Sequence, residues 1–182
     1  TMLSGELATL LGGRTIEFKV FSLSYSEFLV FHKLIDADES LLKYFKYGGL
    51  PYLINLELTD EIVFEYLKNI YTTIVYRDVV SRYNIRITNF LERLIRFLAD
   101  NIGSLFSSKR ISDFLKSQQT KISPNQIQTF TNYLSNACLI HEVPRFDIIG
   151  KRIFEVGEKY YFENSEIRSS ISSLSENNSI EN

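Results

Sequence analysis

The chain has 182 residues, 45% of them hydrophobic and 14% aromatic, with 20 Lys and Arg against 22 Asp and Glu. That apolar fraction is enough to bury a core and excludes wholesale disorder, and the length fits one domain or two small ones. No window reaches the ~20 consecutive apolar residues of a membrane span, so a soluble protein is expected.

Met2 to Leu11 reads as a short helix, capped by Ser4 and ended by Gly12-Gly13. Thr15 to Val20 alternates polar and apolar side chains and is rich in β-branched residues, which predicts a strand. Ser24-Tyr25-Ser26-Glu27 has capping-box spacing, with Glu27 reaching back to the Ser24 amide, and opens a helix to about Leu34. Another helix begins near Glu39 and stops at Gly48-Gly49, and Pro51 cannot easily continue it. Thr59 caps a long helix with Ile62, Tyr66, Ile70 and Ile74 on one face, extending to about Tyr83 with a break near Arg77-Asp78. Thr88 opens the next, where Leu91, Leu94, Ile95 and Leu98 form a helical stripe that ends before Gly103.

Arg110 to Ser117 reads as a short helix that buries Ile111, Phe114 and Leu115, followed by a turn from Gln118 to Ile122. Ser123 caps the following helix, with Pro124 at its first position, where the missing N–H costs nothing. Ile127, Phe130, Leu134, Ala137 and Cys138 fall on one face of it, which makes Cys138 a buried packing residue and not a reactive thiol. Two apolar stretches come next, Leu139 to Phe146 and Tyr160 to Phe162, separated by turn signals at Gly150-Lys151 and Gly157-Glu158. Two helices joined by a tight turn, with a third before and a hairpin after, describe a winged helix-turn-helix. The fold class is mainly α with a small β component. Beyond Asn164 the chain is rich in Ser and Asn, and a poorly ordered tail is expected.

The net charge divides unevenly: residues 1–87 carry −2, residues 88–162 carry +3 and residues 163–182 carry −3. The middle segment is therefore the candidate surface for a polyanion, and its excess permits nucleic-acid binding without demanding it. The helix 124–138 would be the recognition helix, presenting Asn125, Gln126, Gln128, Thr129, Asn132 and Ser135. Asn and Gln can bridge adenine in the major groove. The helix carries no Lys or Arg, although phosphate neutralisation normally supplies most of the affinity. Cations lie beside it: Lys109, Arg110, Lys116 and Lys121 around the turn, then Arg145, Lys151 and Arg152 in the wing. They are interleaved with Asp113, Glu142, Asp147 and Glu155, so a DNA-contacting surface and a protein-docking one are both open. The candidate contact set is Lys109, Arg110, Lys121, Asn125, Gln126, Gln128, Thr129, Asn132, Arg145, Lys151 and Arg152.

Catalytic constellations are absent from the sequence. There is no G-x-x-x-x-G-K-[ST], since Gly150-Lys151 is followed by Arg152, and no G-x-S-x-G, H-E-x-x-H or C-x-x-C. This chain alone is expected to be no enzyme, with no catalytic residue, metal site or cofactor. Two His and one Cys, far apart, cannot build a zinc site, and His32 and His141 read as structural. A single Cys allows no internal disulfide and fits the cytoplasm. Arg77-Asp78, with Arg82 and Arg86, reads as charges on the wet face of a long helix.

Several stretches taken together resemble a known family. They are Ser4-Gly5-Glu6-Leu7-Ala8-Thr9-Leu10-Leu11-Gly12-Gly13-Arg14, Leu23-Ser24-Tyr25-Ser26-Glu27-Phe28, Tyr47-Gly48-Gly49-Leu50-Pro51, Ile70-Tyr71 and Arg77-Asp78-Val79-Val80. Leu94 through Gly103, Val143-Pro144-Arg145-Phe146-Asp147 and Lys159-Tyr160-Tyr161-Phe162 complete the set. The chain from Leu3 to Arg168 is similar to part of a bacterial and archaeal AAA-type ATPase family (AAA+ superfamily) that has a C-terminal domain of unknown function. The resemblance implies a remnant of the ATPase core at 1–22, a helical lid region at 23–87, a winged helix-turn-helix at 88–163 and the poorly ordered tail at 164–182. It places the family's phosphate loop, magnesium-binding acidic strand and sensor strand before the residue matching Leu3, and a nuclease-like domain after Arg168. ATP and magnesium belong to the full-length family. Ser22 departs from a common Pro, and Asn164 and Glu166 stand where an acidic residue and Gly are usual.

By position, the resemblance implies that Arg14 can reach a nucleotide γ-phosphate. Read from the residues, Arg14 is an arginine at a helix C-terminus, favoured by the helix dipole, and nothing here places a nucleotide beside it. The expectation is a non-catalytic fragment of an AAA-type ATPase whose winged helix contacts DNA or a protein partner. The alternative is a free-standing winged-helix interaction module with no nucleotide connection.

Overall fold

A computed structural model describes residues 20–144 and 157–177, together with positions 14, 16 and 18. The expected helix from Met2 to Leu11 and the tip of the expected wing lie outside the described residues. Ile16, Phe18 and Val20 are 81–90% exposed and in no strand, so these positions of the expected strand have no pairing partner among the described residues.

Helix α1 (Tyr25–His32) starts at Ser24, whose amide and hydroxyl donate to the Glu27 carboxylate at 2.8 and 2.7 Å. Those bonds hold the Glu27 carboxyl below its ordinary range. Helix α2 (Asp38–Tyr47) ends at Gly48, whose φ of 79° favours glycine. Helix α3 (Asp60–Thr72) does not break near Arg77 but widens into a π-helical segment, Thr73–Ser81. The buried face runs through Val63 and Leu67 of α3 to Ile74, Val75 and Val79 of the wider segment and leaves Ile62 38% exposed, against expectation. Asp78 is buried as well, its carboxylate taking bonds from Arg77 Nε at 2.9 Å and Nη2 at 3.3 Å. The Arg77-Asp78 pair is thus wet on the arginine side only.

Helix α4 (Thr88–Asp100) buries Leu91, Leu94, Ile95 and Leu98, as its stripe predicts. After it come strand β1 (Leu105–Phe106), helix α5 (Ser108–Ser117), helix α6 (Pro124–Asn136), strand β2 (Ile140–Val143) and strand β3 (Glu158–Phe162). The strands form one antiparallel sheet in the order β1-β3-β2, with Phe106 opposite Glu158 and Glu142 opposite Tyr160. In α6 the capping box is complete: the Gln126 amide donates to Ser123 Oγ at 3.2 Å, and the Ser123 amide to Gln126 Oε1 at 3.1 Å.

Two packing expectations fail here. Helix α5 turns Ser112 and Leu115 inward, with Ser112 Oγ donating to the Ile122 carbonyl at 2.6 Å, and this rotates Phe114 out to 62% exposure. Cys138 is exposed because the helix ends at Asn136, and Cys138 takes a left-handed φ of 51° where the chain turns into β2.

The expected poorly ordered tail is instead helix α7 (Ser165–Asn177) over residues 165–177. Ile167 and Ile171, one helical turn apart, are each 2% exposed, and α7 packs against α2, α3 and α4. Both isoleucines dock against those helices, which supply the other apolar wall. A single hydrophobic cluster runs from Tyr47 to Ile171, so the helical half and the α5–α6–sheet half share one core. No helix among the described residues is long and apolar enough to cross a membrane.

Candidate nucleic-acid interface

The surface that the sequence singles out is assembled by α5, the following turn and α6. Ser107 Oγ accepts the Arg110 amide at 3.4 Å and fixes the start of α5, where Lys109 and Arg110 are exposed. The turn closes by a bond from the Thr120 amide to the Leu115 carbonyl at 2.9 Å, with Gln119 in the left-handed region. Lys121 then stands exposed just before the capped start of α6. Lys116 lies 3.5 Å from Asp113, and both are exposed, so its charge is partly answered within the helix.

On α6, Asn125, Gln126, Thr129 and Asn132 are exposed, whereas Gln128 and Ser135 are half-buried. Gln126 spends its carbonyl oxygen on the cap, and Thr129 donates to the Asn125 carbonyl at 2.8 Å. Gln128 is 3.5 Å from a Glu158 carboxylate oxygen and turns toward the sheet, which removes it from the outward set. Arg145, Lys151 and Arg152 lie outside the described residues. Arg14 is exposed.

A carboxyl pair at the foot of α6 is not evident from the sequence. Glu142 on β2 and Glu158 on β3 share the sheet face occupied by Tyr160, whose hydroxyl donates to Glu158 at 2.9 Å and lies 3.5 Å from Thr131 Oγ1 of α6. Burial first, then the Glu158 charge and a hydrogen bond with Glu158, push the Glu142 carboxyl above its ordinary range. Alternation along β2 orients Glu142, but its partner lies on the next strand, and only the cross-strand register brings the two together.

A second buried carboxyl, Glu166 of α7, is inserted at the Gly48-Gly49 loop and accepts the Gly49 amide at 3.2 Å. A Cβ at Gly48 would sit 1.9 Å from the Glu166 carboxyl carbon, and one at Gly49 would sit 2.2 Å from the Leu23 carbonyl oxygen. That crowding accounts for the two glycines. Burial pushes Glu166 upward as well.

His141 pairs across the sheet with Glu163, while burial against Phe28 lowers the His32 imidazole pKa. Among the described residues no three His, Cys, Asp or Glu gather to hold a metal ion. The exposed cations and side-chain amides of α5, the turn and α6 can make ionic and hydrogen-bonding contacts.

An uncharacterized protein of Haemophilus influenzae is 36% identical over 173 residues, covering 92% of this chain and 42% of its own length. An uncharacterized protein of Methanocaldococcus jannaschii is 34% identical over 167 residues, covering 84% of this chain and 37% of its own. The chain thus spans about two fifths of the length of these relatives. A family model described as a domain of unknown function (DUF8612) matches residues 38–178, from the start of α2 to just past α7, and the chain belongs to that family.

Proposed function

We propose that residues 88–163 are a winged helix-turn-helix that contacts DNA through α6, within the lid-like and winged-helix part of an AAA-type ATPase. The observation that carries this reading is the order α4-β1-α5-α6-β2-β3 with β3 central in the sheet. It leaves the polar face of α6 exposed between cations at the starts of α5 and α6. In this reading Lys109, Arg110 and Lys121 neutralise backbone phosphates, while Asn125 and Asn132 address base edges. In this reading ATP and magnesium bind a nucleotide-binding half of the longer protein, for which relatives more than twice as long leave room, and this segment acts by contact alone. Tyr83, just past the π-helical segment, stacks on Tyr133 of α6 with ring centroids 3.6 Å apart and planes 5° off parallel. Displacement of the lid-like helices would thereby be carried to α6.

A second reading, a winged-helix module that docks a protein, is favoured by the Glu142–Glu158 pair and the lack of cations on α6. Fluorescence anisotropy of a labelled random duplex at low and moderate salt separates the two. DNA contact requires binding that weakens steeply with salt and weakens further on removing charge at Lys121 or Arg152. No binding even at low salt would sink it and leave the protein-docking reading.

A further inference from the structure

Arg86, in the turn before α4, and Arg93, in its second turn, line one open cleft of about 340 Å³. Ile87, Phe90 and Ile122 give it apolar walls, Thr88, Asn89 and Thr120 add polar groups, and among the described residues no carboxylate lines it. Both arginines are exposed, and neither guanidinium has a hydrogen bond or ion pair with another described residue. They differ in this from Arg77, which is held by Asp78.

Two guanidinium groups at one concavity without a counter-charge repel each other unless an anion joins them. Their planar forks fit phosphate oxygens in pairs, and charge-assisted bonds of this kind are the strong ones. The position of the cleft selects the anion. Thr120 and Ile122 flank Lys121, so the cleft opens beside the residue that leads into α6.

We infer that this cleft is a phosphate clamp for the nucleic-acid backbone, in which Arg86 and Arg93 hold a phosphodiester next to the stretch contacted by α6. The clamp rests on the DNA-contact reading above. It extends the interface from the α5–α6 turn to the start of α4 and draws Arg86, outside the winged helix proper, into it.

The test is duplex anisotropy with the full 182-residue chain, comparing wild type, R86Q/R93Q, R86K/R93K and K121Q between about 50 and 200 mM salt. R86Q/R93Q should weaken binding on the order of tenfold and make the slope of log affinity against log salt shallower by about one to two; K121Q should change it by about one. R86K/R93K should regain the slope but not the full affinity, because an ammonium lacks the fork. Exposed side chains leave the melting temperature unchanged, which guards against misfolding as the cause. Wild-type affinity and slope in R86Q/R93Q, alongside weakened K121Q, would overturn the clamp and leave DNA contact standing. A wild-type chain that binds no duplex at any salt overturns both, and binding of an acidic peptide in its place would reassign the cleft to a protein partner.

Discussion

Glu166 places a carboxyl against backbone that has room for nothing larger than hydrogen at the neighbouring residues. Its folded pKa lies above the ordinary carboxylate range because burial outweighs the bonds from Gly49 and Ser165. A group raised in this way binds more protons folded than unfolded. Its contribution is fully present below the ordinary value and is lost as pH rises through the raised one. Glu166→Gln keeps an acceptor for Gly49 without the charge, so it should raise the melting temperature at neutral pH, with the gain vanishing in acid. Thermal melts across pH, read against wild type, check this; a gain that persists in acid would refute the burial account. Glu166→Ala should instead cost about 1–3 kcal/mol, because the Gly49 amide is left unsatisfied. Glu142 follows the same sign, and Glu142→Gln should also strengthen duplex binding a few-fold by reducing negative charge at the foot of α6.

Helices α6 and α7 stand on different supports. The start of α6 is local, held by the reciprocal Ser123 and Gln126 bonds with Pro124 at the first position. Ser123→Ala is therefore expected to cost about 1 kcal/mol in urea unfolding, with little dependence on the rest of the molecule. Helix α7 has few apolar residues and is held by where they land. Ile171→Ala should cost about 2–5 kcal/mol, since it opens a cavity in the shared core. A loss below 1 kcal/mol would mean that α7 docks loosely. The local signals of α6 are legible in sequence, whereas nothing within the Ser-rich segment announces the groove formed by α2, α3 and α4.

At the scale of the molecule, the region of α1 and α2 carries a group of exposed apolar side chains. Val30, Ile35, Leu42 and Phe45, on and around α1 and α2, are 65–79% exposed. Exposed apolar side chains in such number mark a surface that associates. The isolated chain should self-associate with rising concentration in sedimentation velocity, and V30E/F45E should return it to a monomer. A wild-type chain that stays monomeric at high concentration would show that the exposed residues are too scattered to form a contact.

The sequence by itself determined the helix starts at Ser24 and Ser123, the stop at Gly48 and the stripe of α4. Capping, glycine conformation and periodicity act within a few residues, and one stretch of chain carries all of that information. Only the tertiary structure decided the rest: Phe114 turned outward, Gln128 drawn toward Glu158, Glu142 paired with a carboxyl on β3, and Arg86 brought to one cleft with Arg93. Each of these depends on which residues, remote in sequence, meet across a strand pair, a turn or a helix groove. That meeting is set by burial of the whole core and not by any local pattern.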